Sequence, residues 1–178
     1  MLNRHTAGVV VAAALVLAAC GSASAQSNDN ATLGISYSFF RYLQGADLNL
    51  PAGWLVSFAT PIERRSAISV VGEIAGNYRS EFGETLKVHT YQGGFRLSGR
   101  TAPGVYPFAQ FLLGGMTSGC CGGSTTNFMI EPGFGVDLAM NRGVAFLGGI
   151  SLPIGFDDGD AIKALRLQAG IVLPISSR

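Results

Sequence analysis

The 178 residues suffice for one domain. Only 13% are charged and 25 are glycine, about half and about twice the shares of an ordinary soluble domain. A formal net charge of +1, with no basic stripe interleaved with aromatics, excludes the electrostatic footprint of a nucleic-acid binder. Beyond residue 25 no apolar run approaches the roughly 20 residues a spanning helix needs. A mature chain that crosses a membrane must therefore do so as a closed barrel, which leaves no backbone group unpaired in hydrocarbon.

Residues 1–25 read as a signal peptide that is removed on export. Arg4 and His5 make a short polar start, Ala7 to Ala19 are apolar, and Ala23-Ser24-Ala25 is a small-x-small cleavage site before Gln26. A second reading overlaps it. Leu17-Ala18-Ala19-Cys20 resembles a bacterial lipobox, in which Cys20 would be lipidated and become the first residue. Both readings export the protein. Residues 26–31 are polar and are expected to be disordered, and 32–178 form the barrel domain.

Eight strand-like runs follow, at 32–42, 51–60, 67–78, 86–98, 105–117, 126–140, 143–154 and 161–175. Each meets or slightly exceeds the about 9–11 residues of a tilted membrane strand. Strand side chains alternate between two faces. In the sixth run Phe128, Ile130, Pro132, Phe134, Val136, Leu138 and Met140 share one face, opposite Glu131, Gly133, Gly135 and Asp137. In the eighth, Leu165, Leu167, Ala169, Ile171 and Leu173 alternate with Arg166, Gln168 and Gly170. The polar-side faces carry glycine and isolated charges rather than a carpet of Lys and Glu. That suits the narrow interior of a small barrel whose exterior meets lipid.

The fourth run places Tyr91, Phe95 and Leu97 outward and Thr90, Gln92, Gly94, Arg96 and Ser98 inward. The second presents Trp54, Val56 and Phe58 outward, and the seventh Val144, Phe146, Ile150 and Leu152. The fifth run is apolar on both faces, and Gln110 is placed inward. Connections after even-numbered runs are short or basic, among them Asn141-Arg142, read as a two-residue hairpin turn. Those after odd-numbered runs, 44–50, 79–85, 118–125 and 155–160, are longer and richer in acids, with Asp47, Glu81, Glu84, Asp157, Asp158 and Asp160. The fold class is therefore all-β, an eight-stranded antiparallel up-and-down transmembrane β-barrel. Its short turns are periplasmic, its longer loops extracellular, and its termini in the periplasm.

This pattern, with the stretches Tyr91-Gln92-Gly93-Gly94-Phe95-Arg96 and Pro107-Phe108-Ala109-Gln110, resembles the small eight-stranded bacterial outer-membrane barrels, the OmpA/OmpX-like group. The resemblance covers the whole mature chain and lies in architecture, not in a signature for an activity. It implies outer-membrane lipid and lipopolysaccharide as surroundings and the barrel-assembly machinery as a partner during biogenesis. The chain departs from the group at Leu173-Pro174-Ile175-Ser176-Ser177-Arg178, where the group carries a terminal aromatic read by that machinery.

The inward polar set is Glu73, Gln92, Arg96, Gln110, Glu131, Asp137, Arg166 and Gln168. Charges inside so narrow a barrel must be paired. Counting residues from the turns pairs Arg96 with Asp137 in a lower layer, and Arg166 with Glu131 and Glu73 in an upper one. The set reads as a salt-bridged plug, or else as a gated path for ions. His89, the only histidine after residue 25, points outward near the loop end and lacks a His-x-Ser spacing. It reads as an interfacial residue in preference to the base of a lipid-modifying enzyme. Asp157-Asp158-Gly159-Asp160 lacks the EF-hand spacing and reads as a solvated turn. Adjacent Cys120 and Cys121 cannot form an ordinary disulfide framework and read as loop residues. No catalytic site, cofactor or metal site is expected. The function read from these features is structural or surface-interacting. The alternatives are a narrow channel for small solutes or apolar compounds, and a soluble periplasmic lipocalin-like binder with its two faces inverted.

Overall fold

The computed structural model describes residues 30–44, 48–63, 66–81, 84–120, 123–140, 143–157 and 160–175. Ten strands appear: β1 (Ala31–Tyr42), β2 (Asn49–Leu50), β3 (Ala52–Pro61), β4 (Ile68–Glu81), β5 (Glu84–Ser98), β6 (Val105–Cys120), β7 (Gly123–Ala139), β8 (Ala145–Ser151), β9 (Ile154–Asp157) and β10 (Asp160–Ile175). β8 and β9 are one strand interrupted at Leu152-Pro153. Ser151 faces Gly133 and Ile154 faces Ile130, so the register against β7 continues across the gap. Proline has no N–H for the ladder, and its carbonyl still accepts from Ala164 N at 2.8 Å. β2 is a two-residue addition beside β1 at the loop end.

The remaining eight strands close on themselves, because β1 pairs antiparallel with both β3 and β10. One circuit of the ring defines its stagger. Leu33 faces Phe58, then Gly72, Gly93, Leu113, Ile130, Ile154 and Lys163. The Lys163 carbonyl then accepts from Leu43 N at 2.9 Å. The path thus returns ten residues beyond its start on the first strand (33 to 43). Such a shear tilts every strand and sets neighbouring strands at offset heights.

Alternation sorts the side chains as the sequence requires. Phe134, Leu167 and Ile171 are 50%, 42% and 43% exposed on the outer wall, while Glu131 and Arg166 are 1% and 0% exposed inside. Large apolar side chains stand outward on every strand of the ring, among them Ile35, Phe58, Ile74, Phe95, Phe111 and Phe146. An apolar surface of this extent is foreign to a soluble monomer. The inverted arrangement, with greasy residues inside and Glu131 and Arg166 in water, is not what forms.

The strands run further at the loop end than the sequence indicated. Residues 79–81, 84–85, 118–120 and 123–125 are polar and read as loop, yet they continue the β4–β5 and β6–β7 ladders. Polar cross-strand pairs support these ribbons, including Ser80 with Thr85 at 3.1 Å and Thr117 with Thr126 at 2.8 Å. Ala31, expected to be disordered, is the first residue of β1 and faces Ile175. At the other end the connection between β7 and β8 spans 140–144, closed by Met140 N to Val144 O at 2.7 Å. Asn141 and Arg142 lie outside the described residues. Gly143 and Gly104, with φ of 84° and 79°, supply the left-handed backbone that two of these tight connections require.

Two apolar clusters occupy the ends of the lumen. Phe40, Leu50, Val88, Met116, Met129 and Ala164 pack at the loop end, flanked by Tyr42, Leu48 and Leu86. Phe108, Leu147 and Val172, with Ala145 against them, pack at the turn end. A polar band lies between them.

Candidate functional site

Six strands supply the ion pairs of that band and the side chains bonded to them. Glu131 on β7 is its centre and its oxygens are fully used. Arg166 on β10 donates from Nη1 to Oε1 and Oε2 at 2.9 and 2.8 Å. Ser151 Oγ donates to Oε1, and Gln92 Nε2 on β5 donates to Oε2 at 2.9 Å. Arg166 also donates from Nη2 to Thr90 Oγ1 at 2.9 Å, and its guanidinium carbon lies 5.5 Å from the Phe40 ring centroid. Both ions are fully buried. They are held because each is paired and multiply hydrogen-bonded, which offsets the several kcal/mol that burying each costs.

A second ion pair is looser. Arg96 on β5 donates from Nε and Nη2 to Gln110 Oε1 on β6 at 3.0 and 2.8 Å. Its Nη2 is 3.5 Å from Glu73 Oε1 on β4. Gln110 Nε2 donates to the same oxygen at 3.2 Å. The Arg96 guanidinium carbon lies 4.2 Å from the Phe108 ring centroid. Glu73 Oε2, Gln92 Oε1, Arg166 Nε and Gln168 Oε1 are buried without a hydrogen-bond partner.

Two expected pairings change. Glu73 pairs with Arg96, not with Arg166, and Arg96 does not pair with Asp137. Arg96 faces Gln110, which faces Gly133. Asp137 therefore sits two strands away and four residues off that level, beyond a side chain already held by Gln110. Glu73 is on the adjacent strand, facing Gln92. Asp137 is half-buried, and its Oδ1 has no hydrogen-bond partner. Gln168 is buried in the lumen beside Gly149, outside the bonded network. Thr90 and Ser151 belong to the network and were not in the expected set. Alternation already placed Thr90 on the face of Gln92, but nothing in the sequence shows it within reach of Arg166.

The outer wall carries a second cluster. Trp54 Nε1 donates to Tyr78 OH at 3.3 Å, and Tyr78 OH lies 3.0 Å from His89 Nε2. The Tyr78 and His89 rings meet edge to face, with centroids 5.6 Å apart. His89 thus faces outward near the loop end, held by a tyrosine. Tyr37, opposite Trp54, donates its hydroxyl to the Pro51 carbonyl. Cys120 is exposed with a free thiol, 3.8 Å from Glu84 Oε2. Cys20, Ala25, Asp47, Cys121, Asp158 and Gly159 lie outside the described residues. No group of metal-ligating side chains forms among the described residues.

No family model and no curated protein matches the chain by sequence. Solved structures do match. Neisserial surface protein A has a TM-score of 0.65 at 12% identity, covering 82% of this chain and 97% of that one. Ail, the attachment invasion locus protein of Yersinia pestis, has 0.54 at 14% identity, covering 82% and 99%. The N-terminal β-barrel domain of Pseudomonas aeruginosa OprF has 0.50 at 12%, covering 83% and 100%. The fold is that of the small outer-membrane β-barrels. At these identities the likeness speaks for architecture, and activity has to be argued from this chain's own residues.

Proposed function

We propose that the protein is an outer-membrane β-barrel with a structural or surface-interaction role, its lumen closed to solutes by the Arg166–Glu131 and Arg96–Glu73 network. The observation that carries the reading is the segregation within one sheet. The outer wall is apolar on every strand of the ring, and two arginines and two glutamates are gathered and paired inside. Apolar clusters at both ends of the polar band favour a plug over a continuous aqueous path. Residues 1–25 direct export, and the polar ribbons and acidic loops stand outside the cell, where Glu84, Asp157 and Asp160 meet solvent, lipopolysaccharide or a partner. Heat-modifiable gel mobility of the detergent-extracted membrane fraction tests the barrel and its location together. A protein recovered in the soluble fraction overturns both. Planar-bilayer recordings test the plug: no unitary conductance is expected, and steady ion steps would replace the structural reading with the channel. Mass spectrometry of the mature N-terminus distinguishes cleavage after Ala25 from lipidation at Cys20.

A further inference from the structure

The outer wall of β3, β4 and β5 is not evenly covered. Gly72 and Gly93 face each other on the lipid-facing side and leave an open groove of about 570 Å³, walled by Val56, Phe58, Ile74, Tyr91 and Leu113, with Glu73 and Gln92, whose side chains are buried on the lumen side, in its floor. A Cβ on Gly72 would meet nothing within 4 Å. The groove is therefore true free space, not a close approach that demands glycine. The ladder fixes what lies above it. One step toward the loops, Ile74 faces Tyr91. The next level is Trp54, Gly76 and His89, and above that Tyr78 faces Lys87. The apolar groove thus ends under the Trp54–Tyr78–His89 cluster, with an exposed lysine at its top.

The polar cluster has a direction. Indole N–H only donates, so the Tyr78 oxygen accepts from Trp54. The arrangement that satisfies each group has Tyr78 O–H donating to His89 Nε2. His89 Nδ1 then carries the ring's N–H, leaving it and the Lys87 ammonium as donors beside the top of the groove. Both are donors, and no acidic side chain shares those two levels on β3, β4 and β5. Apolar below, donor-rich and cationic above, this strip matches one amphiphile with a buried tail and an anionic head.

We propose that it is a seat for a phosphate-bearing glycolipid of the outer leaflet, the lipid A portion of lipopolysaccharide. One acyl chain would lie over Gly72 and Gly93, and a phosphate would be held by Lys87 and His89. The proposal rests on the outer-membrane reading above. Trp54 is the only tryptophan in the chain and stands at the level above the groove, bonded to Tyr78, so its emission reports occupancy. Reconstituted in phosphatidylcholine with acyl chains brominated near the headgroup, the protein should show strongly quenched emission. Unbrominated lipid A should relieve the quenching at a mole fraction about fivefold below that needed with unbrominated phosphatidylcholine, the factor expected of one lysine contact. Lipid A without its phosphates should lose that advantage. Lys87→Gln should lose it as well, and Gly72→Leu, which fills open space, should lose it with the barrel still folded by gel mobility. If lipid A and phosphatidylcholine relieve quenching equally, the seat is refuted and the outer-membrane reading stands. If brominated lipid does not quench Trp54 at all, the wall does not face lipid and both fall.

Discussion

The two ion pairs of the lumen share the same residue types and the same wall, yet they are built differently. Arg166 meets Glu131 with two bonds from one nitrogen, Ser151 and Gln92 complete the Glu131 oxygens, and Thr90 takes Arg166 Nη2, which leaves Arg166 Nε as the one unmatched group of the pair. Arg96 is held first by Gln110, reaches Glu73 at 3.5 Å, and leaves Glu73 Oε2 with no partner. The difference shows where the barrel commits its electrostatics. A buried pair is hard to dismantle one side at a time when its carboxylate is fully matched, and it contributes little when the partners are also satisfied by neutral amides.

The largest effect falls at Arg166. Arg166→Leu removes the only cation on Glu131 and should cost about 3–5 kcal/mol in reversible urea unfolding from vesicles or detergent. Unchanged stability would show that the pair carries no weight. Arg96→Leu should cost less, about 1–3 kcal/mol, because Gln110 still donates to Glu73 Oε1 at 3.2 Å. Double-mutant cycles sharpen the contrast. The coupling of Arg166 with Glu131 should exceed that of Arg96 with Glu73 by at least about 1 kcal/mol, and equal couplings would erase the distinction. Ser151→Ala deletes one neutral donor to Glu131 and should cost about 1 kcal/mol, read as a shift of the urea midpoint at constant slope.

Which face each residue took was legible in the sequence, because the strand period leaves little choice once Glu131 and Arg166 alternate with Phe134 and Leu167. β6 was harder. Phe108 and Leu112 point inward while Phe111 and Leu113 point outward, since apolar layers at the lumen ends make both faces look alike. Partners were least legible. Residue counts from each turn take no account of a stagger of ten (33 to 43), and that offset separates Arg96 from Asp137. The aromatic cluster was invisible for the same reason. Trp54, Tyr78 and His89 come from three strands and meet only through the register. The polar ribbons have the composition of loops, and only cross-strand pairing reveals them as strand.

The smallest change separates the two sites most cleanly. Glu73→Gln keeps the shape and keeps Oε1 to accept from Gln110 and Arg96. It replaces the unpartnered Oε2 with an amide that donates. The residue facing Glu73 is Gln92, whose Oε1 is itself buried without a donor. One substitution can therefore remove one orphaned acceptor and supply a donor to another, while giving up only the charge of a pair held at 3.5 Å. The expected result is a stability within about 1 kcal/mol of the parent, on the stabilising side. Glu131→Gln should instead cost about 3 kcal/mol or more, because it leaves Arg166 buried without a counter-charge and turns one acceptor into a donor facing a donor. Urea midpoints of the two variants, taken side by side, decide it. A Glu73→Gln loss as large as that of Glu131→Gln would mean that the long Arg96 contact is as strong as the short one, and that the unmatched oxygens are satisfied by bound water.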